Sequence, residues 1–308
     1  MDQPILHHYP MSPYSEKIRL VFGLKAVAWQ SVIVPTIMPK PDLMPLTGGY
    51  RKTPVLQIGA DVYCDTQLIL RELERRYPEK SLYAGSDSGT CGILAWSLDR
   101  SLFQPAVGVA FIVAGGFLTP EFIADREKFS GRRIEPERMR ADRQIFVDQL
   151  RPHLDWLCRM LADGRPFLLG AQPTLPDFSA YHPLWFIRNL MGPQAASVPG
   201  FSALQPWFAR VTALGHGKPS ELVATAALAI ARDAEPAAPP EWDEDETSGR
   251  KPGDRITVTP DDTGRDPVSG SLVSISAQEV VLAREAPDLG RIHVHFPRAG
   301  FIVTPAEA

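Results

Sequence analysis

The stretch SPYS (12–15) places a hydroxyl side chain where a strand-like segment gives way to a helix-like one. Apolar side chains follow at helical spacing to position 24, and Pro13 suits a first helical position because it has no N–H to leave unpaired. A helix N-terminus carries partial positive charge and unsatisfied N–H groups. Ser12 Oγ could therefore donate a hydrogen bond to a substrate thiolate and stabilise it. One such bond contributes about 1.5–3 kcal/mol, which lowers a thiol pKa by about one to two units.

The same position also has a purely structural interpretation. Serine is among the commonest N-cap residues, so Ser12 could serve only to cap the helix. Ser15 is a weaker candidate for chemistry, because it lies one turn into the helix and its hydroxyl is expected to bond the backbone. The residues alone leave both interpretations of Ser12 open.

Composition narrows the functional classes. The 308 residues carry a formal net charge of −4 and a pI near 6.0, so bulk electrostatics recruit neither nucleic acid nor an anionic membrane. The three cysteines are scattered and the N-terminus lacks secretory-signal features, which predicts reduced thiols in a cytoplasmic protein. The longest apolar run (105–118) is shorter than the ~20 residues that span a bilayer and is predicted to be a buried helix.

The chain divides into four segments by its patterning. Residues 1–80 alternate strand and helix signals in the order β-α-β-(α)-β-β-α, including a hairpin PVLQI–DVYC, and predict an α/β unit. Residues 86–232 show long amphipathic stretches and no convincing strand, which predicts an all-α domain. Residues 233–250 are rich in Pro and Ala and then acidic, which predicts an exposed linker. Residues 251–308 contain five short segments in which apolar residues recur at every second position. This pattern predicts a small closed β-barrel, SH3-like or OB-like, of unknown role.

Four separated features occur in one order along the chain: SPYS at the first strand–helix junction, Thr53–Pro54 entering a strand, Asp65–Thr66 opening a helix, and TLPD (174–177) in the helical half. Together with an α/β half followed by an all-α half, they resemble the glutathione transferases, in a serine/cysteine-type, bacterial-like form, over residues 1 to about 230. The resemblance implies a thioredoxin-like domain followed by the helical transferase domain, with glutathione as co-substrate and no metal. It also implies a homodimer, a cytoplasmic role in detoxification, and a hydrophobic electrophilic small molecule as second substrate.

In this resemblance Ser12 occupies the position of the residue that contacts the glutathione sulfur. Tyrosine-type members carry their tyrosine at the place of His8, so Tyr9 is not favoured. Thr174 and Asp177 form a variant of the capping box, for which we expect a folding role.

The resemblance also implies how the rest of glutathione is bound. Thr53–Pro54 would be a cis-proline turn that exposes the backbone of Val55 to the cysteinyl unit; the alternative is an ordinary proline at a strand entry. Asp65 would pair with the ammonium of the γ-glutamyl end, and Thr66 at the helix N-terminus would meet its carboxylate. The alternative is that these two residues only cap the helix.

Two further parts of the site have weaker support. Lys52, or alternatively Arg51 or Lys40, would neutralise the glycine carboxylate, although exposed lysines are usually only surface residues. The second-substrate pocket should lie between the two domains. An apolar stripe at helical spacing occurs there and is predicted to be core rather than pocket. It comprises Trp96, Phe103, Val107 and Phe111.

The last segment lies outside the resemblance. His293 and His295 fall on one face of a predicted strand, but metal sites need three or four ligands and no third is evident, so no metal is predicted. The segment is not basic, so a nucleic-acid partner is not predicted either. A β module that packs on its own chain or on a partner is favoured.

The predicted function is therefore conjugation of glutathione thiolate to an electrophile, with Ser12 as the thiolate stabiliser. The alternatives are a non-catalytic binding or scaffold protein that keeps the fold, or a glutathione-dependent isomerase or reductase. Neither Ser12 nor Ser15 is a cysteine, which disfavours chemistry through a mixed disulfide.

Overall fold

The computed structural model describes residues 3–111, 118–240 and 242–306. Its helices and strands are, in chain order, β1 (Ile5–His8), α1 (Pro13–Leu24), β2 (Ala28–Ile33), α2 (Met44–Thr47), β3 (Val55–Ile58), β4 (Asp61–Cys64), α3 (Thr66–Arg76), α4 (Ser88–Ser101), α5 (Phe103–Phe111), α6 (Pro120–Ser130), α7 (Pro136–Ala141), α8 (Arg143–Met160), α9 (Leu175–Met191), two 3₁₀ segments (Gly192–Ser197 and Ser202–Leu204), α10 (Gln205–Thr212), β5 (Lys218–Glu221), α11 (Ala224–Arg232), β6 (Arg255–Pro260), β7 (Val268–Ile275), β8 (Glu279–Ala286), β9 (Gly290–Pro297) and β10 (Phe301–Pro305). The helix predicted over 105–118 is present as α5 up to Phe111, and its residues 112–117 lie outside the described residues. None of the described helices combines the length and apolar composition needed to cross a membrane.

The predicted α/β unit is confirmed as a thioredoxin-like domain. β1 pairs in parallel with β2 and antiparallel with β3, and β3 pairs antiparallel with β4. Gly59 has a φ of 60° at the β3–β4 turn, a conformation that glycine adopts without steric cost. In α1, Ile18, Val21 and Phe22 are fully buried, as their helical spacing predicts.

Helices α4 to α10 form the predicted helical domain around α9, which contacts α1, α4, α5 and α10. The TLPD motif begins α9. The Asp177 carboxylate accepts hydrogen bonds from the N–H groups of Leu168 and Thr174, each at 2.9 Å, and from the Trp207 indole at 2.8 Å. Because Asp177 is completely buried, these bonds replace the water it has lost, and the predicted folding role is confirmed.

The prediction that residues 86–232 contain no strand is wrong, because β5 lies within them. β5 pairs in parallel with the free edge of β2. Its sequence, KPSE, is exposed and includes a proline, so neither alternation nor β-propensity marks it as a strand. The preceding turn is held by Trp29, whose indole N–H donates to the carbonyl of His216 at 2.7 Å. Tertiary contact therefore makes this segment a strand.

The five strands predicted after the linker are confirmed as β6 to β10. Their pairing refines the prediction of a separate barrel, because β9 pairs in parallel with β4 of the thioredoxin-like domain. The result is one ten-stranded sheet in the order β10-β6-β7-β8-β9-β4-β3-β1-β2-β5. The all-β region thus extends the thioredoxin-like sheet and covers the edge that β4 would otherwise expose.

The two parts of the sheet share one apolar core. Val62 and Cys64 of the thioredoxin-like domain belong to the same buried cluster as Leu282 and Phe296 of the all-β region. The predicted linker over 233–250 is largely exposed, but it is also attached to both parts. Its Ala237 N–H donates to the Asp61 carboxylate at 2.8 Å, and its Asp243 N–H donates to the Ile275 carbonyl at 3.1 Å.

Candidate functional site

The strand registers bring three predicted site segments to one edge of the sheet. β1 and β4 both run antiparallel to β3, and Val55 of β3 has a register partner in each of them. The carboxyl ends of β1 and β4 therefore lie beside the amino end of β3. Ser12 follows the end of β1, Thr53–Pro54 precedes β3, and Asp65–Thr66 follows β4. We call this edge the cleft.

Ser12 is the N-cap of α1. Its Oγ accepts a hydrogen bond from the Ser15 N–H at 3.1 Å, and its backbone is extended, with φ −73° and ψ 118°. The capping interpretation is therefore correct, but it does not exclude the chemical one, because an accepting hydroxyl still has its own proton to donate. Ser12 is only 2% exposed. A charge-assisted bond made by its hydroxyl would be stronger in such surroundings than in water.

The two weaker candidates near Ser12 have other surroundings. Ser15 Oγ is fully buried and has no hydrogen-bond partner in the described part of the chain, so the expected bond to the backbone is wrong. The Tyr9 ring centre lies 5.8 Å from Lys40 Nζ, a cation–π contact. Tyr9 therefore packs against a neighbouring loop.

Thr53–Pro54 is a cis peptide, as the resemblance implies. Val55, however, lies inside β3 with a strand on each side, so its N–H and C=O face a neighbouring strand. The prediction that the Val55 backbone is open to a peptide does not fit this geometry. Thr53 lies just before the paired residues of β3, so its backbone is the one not paired with β1 or β4. Lys40 Nζ holds this segment by donating to Thr53 Oγ1 at 3.0 Å and to the Arg51 carbonyl at 2.9 Å.

Asp65 has an unusual backbone conformation for a residue with a side chain. It is one of four non-glycine residues with positive φ in the described ranges, at φ 73° and ψ 140°, a conformation that costs about 1–3 kcal/mol and is typical of functional sites. Its Oδ1 accepts a hydrogen bond from the Gln67 N–H at 2.9 Å, so Asp65 caps α3 and Thr66 is the first helical residue. Burial raises the pKa of Asp65, although this hydrogen bond and nearby Lys52 act in the opposite direction. A further cation beside it would stabilise the carboxylate.

The loop between β6 and β7 (261–267, the cleft loop) lies beside the cleft. Its Asp262 carboxylate forms an ion pair with Lys52 Nζ. The adjacent Asp261 Oδ1 lies 2.7 Å from Arg100 Nη2 of α4. The cleft loop therefore contacts the thioredoxin-like and the helical domains at once.

A close backbone contact holds the same loop against α6. The Gly264 N–H donates to the Phe129 carbonyl at 2.8 Å. Gly264 has a φ of 59°, and a Cβ added to it would lie 2.1 Å from a ring atom of Phe129. Glycine is thus required here by both the turn and the close approach.

The other cations considered for a ligand carboxylate are already engaged. Arg51 Nη2 lies 2.5 Å from Asp125 Oδ1 of α6, and both side chains are less than 10% exposed. Lys40 is almost completely buried, and burial together with Arg126 and Arg51 lowers its pKa to about 7. Lys52 is also paired, but its partner Asp262 is 45% exposed, so Lys52 is the candidate cation that a ligand carboxylate could most easily gain.

Asp99 of α4 is a half-buried connection between helices that the sequence did not reveal. Its Oδ2 accepts a hydrogen bond from Lys17 Nζ of α1 at 2.6 Å, and its Oδ1 accepts one from His182 Nε2 of α9 at 3.0 Å. Burial lowers the pKa of His182 to about 4, so the ring is neutral and donates its Nε2 proton. These bonds join the helix that begins at Ser12 to the helical domain. No local pattern could predict them, since the partners are more than 80 residues apart.

The predicted apolar stripe divides between core and surface. Val107 and Phe111 pack against the main core, as predicted. The Phe103 ring lies 4.7 Å from the ring of Tyr14 in the first turn of α1. Trp96 is 37% exposed on α4, so the prediction of core is wrong for this member of the stripe.

Two profiles of one family match the chain. The profile described as the N-terminal domain of glutathione S-transferase matches residues 6–81. The profile described as the C-terminal domain of glutathione S-transferase matches residues 126–210. No curated protein sequence matches the chain significantly.

Solved structures extend this similarity to the whole chain. A GST-like protein from Pseudomonas syringae is 37% identical, covers 98% of this chain and 100% of its own, and gives a TM-score of 0.80. A glutathione S-transferase from Rhodospirillum rubrum F11 is 23% identical over 68% of this chain and 88% of its own, with a TM-score of 0.52. A Tau class glutathione S-transferase from mango, 17% identical over 68% of this chain and 89% of its own, gives the same TM-score of 0.52. The last two share the fold of the transferase part, whereas the Pseudomonas protein also covers the all-β region. The chain belongs to the glutathione S-transferase family.

Proposed function

We propose that the protein conjugates glutathione to a hydrophobic electrophilic small molecule, and that Ser12 Oγ stabilises the glutathione thiolate. The observation that carries this proposal is the meeting of Ser12, Thr53–Pro54 and Asp65–Thr66 at one edge of the sheet. A hydroxyl donor, the start of a strand and an acid at a helix N-terminus match the three chemical parts of glutathione.

Glutathione would lie across the cleft with its γ-glutamyl end at α3. Its ammonium would pair with Asp65, whose carboxylate has lost water to burial and gains from a cation. Its α-carboxylate would accept hydrogen bonds from the N–H and hydroxyl of Thr66 at the positive end of α3. The cysteinyl backbone would pair with Thr53 as a short added strand. The glycine carboxylate would reach Lys52 after replacing Asp262 there.

In this arrangement the sulfur lies at Ser12. The thiol loses its proton to solvent, and the Ser12 hydroxyl donates to the resulting thiolate while continuing to accept from the Ser15 N–H. The sulfur then attacks the electrophilic carbon, a C–S bond forms, and the leaving group departs with the bonding electron pair. A bond worth about 1.5–3 kcal/mol corresponds to a thiol pKa lowered by about one to two units.

The test is a titration of the thiol of bound glutathione by ultraviolet difference absorption against pH. We expect the pKa of the bound thiol to be about one to two units lower in the wild type than in water. Ser12→Ala should lose that shift. It should also lower stability by about 1 kcal/mol, because it removes a helix cap.

Ser12→Asp is the matched variant that separates the two roles. Aspartate caps a helix as well as serine does, but its carboxylate accepts hydrogen bonds only and cannot donate to a thiolate. We therefore expect Ser12→Asp to keep the helix cap and to lose the pKa shift. Ser15→Ala should change neither, since Ser15 Oγ has no partner among the described residues.

Two results would contradict the proposal. Glutathione that binds the wild type without a pKa shift would make the protein a binder in which Ser12 is only a cap. A shift that persists in both Ser12 variants would place the thiolate elsewhere in the cleft.

Homodimer formation, a cytoplasmic location and a role in detoxification are further parts of the proposal. The all-β region already covers the β4 edge within a single chain, so the dimer would have to use another surface. Sedimentation velocity of the full chain measures the mass of the species in solution and decides this point directly.

A further inference from the structure

Three potential metal ligands meet where β4 pairs with β9. His293 and His295 lie two residues apart on β9, and Asp61 begins β4. The two strands are parallel, and Asp61 is in register with His293. Asp61 is thus the third ligand that the sequence of β9 alone does not offer. We call these three residues the seam site, because they join the thioredoxin-like domain to the all-β region.

The distances within the seam site suit one small cation. Asp61 Oδ1 lies 2.9 Å from His295 Nε2 and 3.8 Å from His293 Nδ1, and one ligand atom from each of the three residues lies within 4.8 Å of the others. Two ligand atoms bound tetrahedrally to zinc at about 2.1 Å are roughly 3.4 Å apart. The two observed separations lie on either side of that value, so small side-chain movements would bring both of them to it.

One ligand atom is left without a hydrogen bond in the described part of the chain. His293 Nδ1 is buried and makes no hydrogen bond to the residues that the structure describes. An orphaned ring nitrogen in the interior is costly unless something unseen satisfies it. His293 Nδ1 lies 3.8 Å from Asp61 Oδ1, and a cation bound between these two atoms would satisfy both.

Neighbouring groups hold two of the three side chains in place by hydrogen bonds, as groups around protein metal sites commonly do. His295 Nδ1 lies 2.6 Å from Glu279 Oε1 of β8, and a metal-bound histidine commonly donates its other N–H to a carboxylate. The second oxygen of Asp61 accepts a hydrogen bond from the Ala237 N–H at 2.8 Å, which fixes the carboxylate. Two carboxylates at a buried site also favour a divalent cation by charge.

We propose that Asp61, His293 and His295 bind a divalent transition-metal ion of zinc type. Two imidazoles and a carboxylate are ligands that such ions accept, and hard ions such as Mg²⁺ prefer oxygen alone. The ion replaces the proton on His295 Nε2, and His295 Nδ1–H continues to donate to Glu279. Its role is structural: it fastens β9 to β4, and it lies apart from the cleft residues Ser12 and Asp65.

The experiment is a titration of chelator-treated full-length protein with Co²⁺, followed by its visible d–d absorption, and then competition with Zn²⁺. We expect one equivalent of Co²⁺ to bind the wild type and Zn²⁺ to displace it. His293→Gln should lose the absorption, whereas His153→Gln, which changes a half-buried histidine outside the site, should retain it. Glu279→Gln should weaken Zn²⁺ binding by about 10- to 100-fold, because it removes the carboxylate that orients His295.

A structural ion-pair network without metal predicts different results. In that case the wild type and His293→Gln would bind Co²⁺ equally weakly, and Zn²⁺ would leave the unfolding midpoint of both unchanged. That outcome would overturn the proposal. The wild type alone is enough to detect it, through its weak Co²⁺ binding and unchanged midpoint, even if a variant fails to fold. If the proposal is correct, Zn²⁺ raises the midpoint of the wild type and of His153→Gln, but not that of His293→Gln.

Discussion

Two aspartates lie at the two ends of the four-residue strand β4, one as its first residue and one just after its last, and they face different parts of the protein. Asp65, after its carboxyl end, lies at the cleft, caps α3 and is half-buried with a positive φ. Asp61, at its amino end, lies at the seam site, 3% exposed, with His295 at 2.9 Å. One carboxylate belongs to a residue in a costly backbone conformation and caps a helix at the cleft. The other is already surrounded by hydrogen-bond donors of the same chain.

The difference separates a functional carboxylate from a structural one. A residue that holds a strained conformation at an open edge gives up stability for a task that the free protein does not perform. A buried carboxylate that joins two regions of the chain contributes to holding them together, and its loss leaves its partners unsatisfied. We therefore expect mutation of Asp61 to lower mainly the stability of the protein, and mutation of Asp65 to lower mainly its affinity for glutathione.

The largest effect is expected at the seam. Asp61→Ala in metal-free protein removes the acceptor for His295 Nε2 and for the Ala237 N–H. Both ring nitrogens of His295 lie against carboxylates, those of Asp61 and Glu279, so the variant leaves one buried ring nitrogen without its partner. We expect a loss of about 3–5 kcal/mol in the free energy of unfolding, measured by urea denaturation.

Asp65→Asn is the matched control for that measurement. Asparagine caps a helix as well as aspartate and tolerates positive φ readily, so stability should change by less than about 0.5 kcal/mol. Equal losses of stability at Asp61 and Asp65 would contradict the distinction between the two ends of β4.

The next effect is expected in glutathione binding. Asp65→Asn removes the charge that would pair with the γ-glutamyl ammonium, a contribution of about 1.5–3 kcal/mol, so the Kd measured by calorimetry should rise roughly 10- to 150-fold. S-methylglutathione should show the same loss, because its sulfur does not reach Asp65 in the proposed arrangement. A glutathione analogue without the amino group should bind wild type and Asp65→Asn alike. A difference between the two proteins for that analogue would mean that Asp65 acts through something other than the ammonium.

The smallest effect is expected at the cleft loop. Asp262 is 45% exposed in its ion pair with Lys52, and pairs of this kind contribute about 0.2–1 kcal/mol. Asp262→Asn should release Lys52 for the glycine carboxylate and lower the Kd for glutathione by up to about fivefold. Asp261→Asn is the matched control, since Asp261 pairs with Arg100 instead.

A second ligand sharpens this last prediction. Glutathione amide lacks the glycine carboxylate and should gain nothing from Asp262→Asn. An equal gain for both ligands would show that the cleft loop restricts access to the cleft as a whole and does not compete for Lys52.

The sequence by itself determined the elements whose cause lies within a few residues. Ser12 before Pro13, Asp65 before Thr66 and Thr174 three residues before Asp177 predicted helix starts that the structure contains, because a cap is completed by N–H groups of the next turn. The five strands after the linker were likewise evident from their period of two.

Only the tertiary structure decided which of these elements meet. The pair between Lys52 and Asp262 joins residues 210 positions apart, and that between Asp61 and His295 joins residues 234 apart. β5 is a strand because it pairs with the open edge of β2. The backbone of Val55 does not face the cleft because a strand lies on each side of it. Such contacts depend on strand order and register, which are set by burial over the whole sheet and leave no local mark in the residues they join.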